Sequence, residues 1–224
     1  MASCTGAYSS PLEMTFRAPA AAEQGAVSAA DPRAQAAGED ILAKGGSATD
    51  AAIAVMLALT VVEPQSSGIG GGGFLLRGAL DGEVISYDGR ETAPAGASPE
   101  WFLSEDGSLP GFRESVESGL SVGVPGNIRM AALAHNNHGK LSWAELFEPA
   151  TKLARDGFGM NQRMYNSLNR RPDFVAGTQA GRDLYYDSDG NVLPAGSWIK
   201  NEALAQAFER IAAQGPQAFY GAEL

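Results

Sequence analysis

A layered α/β domain, rich in helix and with strands and helices in separate runs (α+β), is the fold class the sequence predicts, on three observations. The run Ala51–Val62 is apolar on every side, which suits a helix only when other layers cover it all round. Phe74-Leu-Leu-Arg77 and Glu83-Val-Ile-Ser-Tyr87 flank Asp81-Gly82, a hairpin signal. From residue 127 onward the apolar spacing is helical, with segments expected over about 127–137, 143–156, 161–169 and 202–214.

Composition supports a packed soluble protein. With 44% hydrophobic and 19% charged residues in 224, the chain can bury a sizeable core and shows neither disorder nor a coiled coil. Its net charge is −10, from 16 basic and 26 acidic residues without a Lys/Arg cluster. That balance repels phosphate backbones and anionic membranes, so nucleic-acid partners are excluded. The longest apolar run is about half of the ~20 residues a membrane-spanning helix needs.

Residues 1–24 show no apolar period and read as a disordered leader or a lipoprotein stem. Met1-Ala2-Ser3-Cys4 resembles the tail of a bacterial lipobox, which would make the protein periplasmic or membrane-anchored. The alternative is an accidental cysteine and a cytoplasmic protein. Cys4 is the single cysteine, so no intrachain disulfide exists.

From residue 25 to 224 no linker separates independent domains. Gly25–Ala30 reads as a short strand of small residues. Asp31-Pro32 opens a helix, with Asp31 as cap and Pro32 at the first helical position; Gly45-Gly46 ends it. Ser47 and Asp50 form a capping-box variant ahead of the apolar helix, and Glu63-Pro64 stops that helix. After the hairpin, a loop-rich stretch leads to Gly119–Pro125, read as a buried strand and turn. Ser142 with Glu145 caps the 143–156 segment, which Pro149 should kink or split.

Gly68-Ile-Gly-Gly-Gly-Gly73 satisfies G-x-G-x-x-G on paper. A dinucleotide fingerprint follows a strand and opens a helix, and here the order is inverted; no Gly-Lys-Ser/Thr closes the run as a P-loop requires. The run therefore reads as backbone needing positive φ or close approach, a tight helix-to-strand passage through a crowded interior. His135 and His138 could share a metal, but no further ligands cluster with them, so they read as a frayed, solvated helix end. No cofactor is expected. No Gly-x-Ser-x-Gly elbow appears.

Several segments together resemble the large-subunit start of gamma-glutamyltransferases. They are Gly45-Gly-Ser-Ala-Thr-Asp-Ala-Ala-Ile-Ala-Val55, Val62-Glu-Pro-Gln-Ser-Ser-Gly-Ile-Gly-Gly-Gly-Gly-Phe74 and Asp88-Gly-Arg-Glu-Thr-Ala-Pro94. Ser121–Gly126, Trp143–Ala150 and Ala218–Tyr220 agree with them. The resemblance implies an N-terminal-nucleophile hydrolase, of which this chain would be part of a four-layer αββα sandwich. It also implies a zymogen that cleaves itself into two subunits, and a threonine nucleophile at the start of the small subunit. Such an enzyme passes the γ-glutamyl group of glutathione, or another γ-glutamyl donor, to water or to an amino acid or peptide. The implied partners are the remainder of the large subunit and the small subunit.

Arg90 is the candidate substrate-binding residue. A planar guanidinium can grip an α-carboxylate with two parallel hydrogen bonds, where lysine offers a point charge. The bare sequence leaves this open against a structural pair with Glu91. The resemblance implies that Arg90 binds the donor's α-carboxylate. The family's Thr-Thr-His nucleophile segment is not found in these 224 residues, so no catalytic residue is assigned and the chain alone is expected to be inactive. Phe219-Tyr-Gly-Ala-Glu223 and Asn201-Glu-Ala-Leu204 depart from the family's usual wording, away from the donor site. Two other readings stand beside this one. One is a glutathione-binding module without catalysis, distinguished by what is encoded after Leu224. The other is a cephalosporin-acylase-like amidohydrolase on the same scaffold, which need not keep the arginine.

Overall fold

A computed structural model describes residues 25–170 and 175–221. The leader assigned to residues 1–24, with Cys4, lies outside the described residues.

Two N-caps set up the first helices. Asp31 accepts from the Arg33 backbone N–H at 2.9 Å and starts α1 (Pro32–Ala43). Lys44 caps it, and Gly45 follows with φ +90°, a backbone angle glycine adopts without a Cβ penalty. Ser47 and Asp50 make the reciprocal capping box expected for α2 (Ala48–Val62). Burial works to raise the Asp31 carboxyl, but hydrogen bonds from Arg33 outweigh it and hold the group below its ordinary value. A depressed folded-state pKa contributes stability above the unfolded value of about 3.9, lost as pH falls through the lower folded value. Asp31→Asn should therefore reduce the loss of stability between neutral pH and pH 3, measured by denaturant titration. An unchanged difference would remove this role.

Helix α2 is the spine of the main core. After the short helix α3 (Phe112–Glu117) the chain returns to it, and it packs against α1, α4 (Asn127–His138), the 3-10 turn Ala144–Phe147 and α5 (Glu148–Asp156). Phe147 and Phe208 meet edge to face in that core, 5.9 Å between centroids. The 143–156 segment splits as Pro149 requires, a 3-10 turn before the proline and an α-helix from Glu148. Helix α6 (Gln162–Arg170) is capped by Asn161, whose Oδ1 accepts from Met164 N at 2.7 Å. Helices α7 (Gln179–Tyr185), α8 (Glu202–Gln214) and α9 (Gln217–Tyr220) complete the set, with Asn201 capping α8.

Strands β1 (Gly73–Gly78) and β2 (Val84–Gly89) pair antiparallel around Gly82, with Gly73 opposite Gly89. One face of the hairpin, carrying Leu75, Ile85 and Tyr87, lies on α4 with Met130 and Ala134. Two further strands, β3 (Phe158–Gly159) and β4 (Trp198–Ile199), are two residues each.

Three expectations need correction. Gly25–Ala30 forms no strand, because no described strand lies beside it to accept its backbone bonds. Gly119–Pro125 is neither a strand nor buried: Gly119–Ser121 is a 3-10 turn, Leu120 and Val122 are exposed, and pairing is limited to one bridge from Val124 to Thr92. The end of α4 is packed rather than frayed. His135 Nε2 lies 2.9 Å from Leu141 O and its ring rests on Trp143, while His138 Nε2 lies 2.7 Å from the Tyr87 hydroxyl.

Helix α2 is also not covered all round by the described residues. Ala52 is exposed, and Val55, Met56 and Leu59 are half-buried. The outer hairpin face leaves Phe74, Leu76 and Val84 in water. Each 100 Å² of apolar surface left exposed forfeits about 2.5 kcal/mol, against a typical domain stability of about 5–15 kcal/mol. The 224-residue chain by itself should be marginally stable and should bind a hydrophobic dye. Cooperative melting as a monomer that leaves the dye unbound would contradict this.

Candidate functional site

Arg90 stands one residue past the end of β2, where three chain segments converge: the glycine run, the hairpin exit and the turn before α4. The convergence is held by backbone and amide contacts. Gly126 N and Asn127 N both donate to Gly71 O, at 3.1 and 3.2 Å, and Asn127 Nδ2 donates to Gly68 O at 2.8 Å. Thr92 and Val124 exchange two backbone hydrogen bonds of 3.2 and 2.8 Å.

The segments approach closer than any side chain allows. A Cβ on Gly72 would lie 2.5 Å from Gly89 O, and one on Gly126 would lie 2.1 Å from the same oxygen. No glycine of the 68–73 run has positive φ among the described residues. The run is a crowded passage from helix α2 to strand β1. Of the two demands foreseen for it, close approach is the one that applies, and left-handed backbone is not.

The crowding fixes the backbone from which Arg90 projects. Its N–H donates to Asp88 Oδ1 at 2.9 Å, which turns the chain out of the strand. Its side chain is 61% exposed, with Nη1 3.4 Å from Glu91 Oε2. That separation is beyond a good charge-assisted bond, and an exposed pair of this kind contributes about 0–1 kcal/mol. The pair foreseen as the structural alternative therefore exists, but it is loose and leaves most of the guanidinium in solvent.

Arg90 and Glu91 border an open pocket of about 630 Å³ that Trp101, Phe102, Leu120 and Val122 also line. A largely exposed guanidinium beside apolar side chains can hold a carboxylate-bearing small molecule. Among the described residues the pocket pairs no nucleophile with a histidine base. Thr92, Ser98 and Ser121 line it, but both histidines are engaged at the far end of α4, on Leu141 O and the Tyr87 hydroxyl. Among the described residues no group of three or more His, Cys, Asp or Glu is placed to hold a metal ion. No described helix is long and apolar enough to cross a membrane.

Arg90 stands out in the sequence, whereas the apolar residues that line the pocket with it do not. Trp101 and Phe102 fall in a loop without periodicity, and Leu120 and Val122 looked like core. Only the alternation of apolar residues with glycine and serine after 119 hinted at partial exposure.

Comparison with known proteins agrees with this architecture. The gamma-glutamyltranspeptidase family model matches residues 34–224. The chain is 40% identical over 200 residues to glutathione hydrolase 2 of Arabidopsis thaliana, covering 89% of this chain and 33% of that protein. It is 38% identical over 201 residues to the glutathione hydrolase proenzyme of Bacillus subtilis, covering 88% of this chain and 34% of that one. The chain thus spans about a third of the length of these relatives. The crystal structure of Helicobacter pylori gamma-glutamyltranspeptidase superposes with a TM-score of 0.83 at 29% identity, over 90% of this chain and 58% of that one. The helices and small sheets described above are an α+β part of that N-terminal-nucleophile hydrolase fold. On the family match and the shared fold, the chain belongs to the gamma-glutamyltranspeptidase family.

Proposed function

We propose that this chain is the N-terminal part of the large subunit of a γ-glutamyl transferase/hydrolase, in which Arg90 holds the α-carboxylate of the γ-glutamyl donor. The observation that carries the reading is Arg90 itself. It sits in Asp88-Gly-Arg-Glu-Thr-Ala-Pro94, at the rim of a pocket, on backbone fixed from two sides and with most of its guanidinium in water. A donor's γ-glutamyl group ends in an α-carboxylate, and the guanidinium fork matches it in charge and geometry. Glutathione is the expected donor. Arg90 also favours this donor over an acylase reading of the scaffold, because an acyl group without an α-carboxylate has no use for the fork.

The chemistry itself needs a group that these 224 residues do not carry. A threonine whose own α-amine takes the hydroxyl proton attacks the γ-glutamyl carbonyl; the donor's C–N bond breaks, its amine leaves with that proton, and water or an amino acid resolves the acyl-enzyme. That threonine belongs to a small subunit freed by self-cleavage, and the rest of the large subunit completes the site. The chain purified alone, free of host enzyme, should give no measurable turnover of a chromogenic γ-glutamyl anilide. Turnover by the pure chain would refute the assignment of the nucleophile to another segment. The likeness of Ala2-Ser3-Cys4 to the tail of a lipobox supports a lipid-anchored or periplasmic setting, and protein isolated from its native source with Cys4 free of lipid would count against the anchor.

A further inference from the structure

The pocket beside Arg90 is larger than a carboxylate grip requires, and besides Thr92, Ser98 and Ser121 its lining carries a group of large apolar side chains. Trp101, Phe102, Leu120 and Val122 face the same cavity as the guanidinium. Phe102, Leu120 and Val122 are 36%, 41% and 60% exposed. Apolar side chains gathered in water around a cavity mark a binding surface more often than scattered ones do. The wall is also built rather than loose. The Trp101 indole donates from Nε1 to Leu120 O at 2.9 Å, which ties the loop to the 3-10 turn. The Thr92–Val124 bridge then holds that turn at a set distance from the Arg90 segment. An aromatic plane fixed in this way loses little freedom when a ligand packs on it.

We propose that this wall is a specificity subsite for the leaving amine, so that the enzyme favours γ-glutamyl amides whose amine carries an aromatic or branched aliphatic group, such as γ-glutamyl dipeptides of apolar amino acids. The inference rests on the reading of Arg90 as the carboxylate grip. With the α-carboxylate held by Arg90, the rest of the donor would extend into the cavity. An apolar side chain there displaces water from the wall, whereas glycine leaves the wall wet. An apolar group entering such a pocket is worth about tenfold or more in kcat/KM.

The test compares kcat/KM for γ-glutamyl-glycine, γ-glutamyl-valine and γ-glutamyl-phenylalanine on the complete processed enzyme that carries this chain. The phenylalanine donor should exceed the glycine donor by about tenfold or more. Trp101→Ala should compress that ratio towards one. The double variant Leu120→Ser/Val122→Ser, which alters exposed side chains and spares the indole bond, should compress it independently. A flat series in the parent enzyme, or a ratio that neither variant moves, overturns the proposal. Arg90→Gln separates the two readings, since it should lower all three donors and leave their ratio in place. If it lowers none, the carboxylate grip fails while the ratio still judges the apolar wall.

Discussion

Replacing Arg90 with lysine in the complete, processed enzyme should lower kcat/KM for γ-glutamyl donors by about 100-fold or more. A charge-assisted hydrogen bond is worth roughly 1.5–3 kcal/mol, and a misplaced reacting carbonyl adds to the loss. Lysine keeps the charge and loses the fork; Arg90→Gln keeps some donors and loses the charge. Both should raise KM for donors that carry an α-carboxylate. A donor analogue without that carboxylate should be hardly affected. Self-cleavage of the precursor should survive, because it acts on a peptide bond of the chain and involves no donor. A drop in melting temperature with donor kinetics intact would instead make Arg90 a scaffold residue paired with Glu91. The loose 3.4 Å geometry of that pair argues against a large thermal effect.

Asp50→Ala should be the most damaging side-chain truncation to the fold. Asp50 is fully buried, and its Oδ2 accepts from Ser47 N at 2.8 Å, Lys140 N at 2.8 Å and Leu141 N at 3.3 Å. One carboxylate oxygen thus closes the start of α2 and pins the turn after α4, ninety residues downstream. Its Oδ1 has no hydrogen-bond partner; His135 Nε2 comes no closer than 3.8 Å. Alanine strands three backbone donors at about 1–3 kcal/mol each where they are shielded from water, so about 3–5 kcal/mol is expected. For a chain of this size that is a fall in Tm of roughly 10 °C or more. Ser47→Ala removes one cap bond and should cost about 1 kcal/mol. Thermal melts of the two variants should therefore differ severalfold in their shift. Equal shifts would mean that the bonds to Lys140 and Leu141 contribute nothing.

These two residues mark how far the sequence could be read. Ser47 and Asp50 are three apart ahead of an apolar run, so the local capping box was visible, and the structure has it. The bonds from Asp50 to Lys140 and Leu141 were not visible, since nothing local in either segment records that the other will arrive. The same division runs through the rest of the chain. Asp81-Gly82 announced the hairpin, and Pro149 announced the split of the 143–156 segment, because each acts on its own backbone. Gly25–Ala30 and Gly119–Pro125 have plausible strand composition, but a strand exists only beside a partner, and composition does not supply one. Arg90 was legible through the family resemblance of its neighbours. The wall formed by Trp101 and Leu120 was not, because it depends on a side-chain bond between two loops nineteen residues apart.

The meeting of Gly72 and Gly126 over Gly89 O has a consequence for how substitutions would sort in a mutational scan of the precursor. The contour of the site is written in main chain, so a methyl group at 72 or 126 must move whole segments rather than one side chain. Such variants would be lost before any assay of turnover, as precursor that never accumulates or never matures. Arg90, one residue from that junction and mostly in solvent, would give the opposite phenotype: normal amounts of mature protein with poor use of donor. Yield and turnover, scored separately, would draw a boundary a single residue wide between the part of the site that makes the shape and the part that reads the substrate.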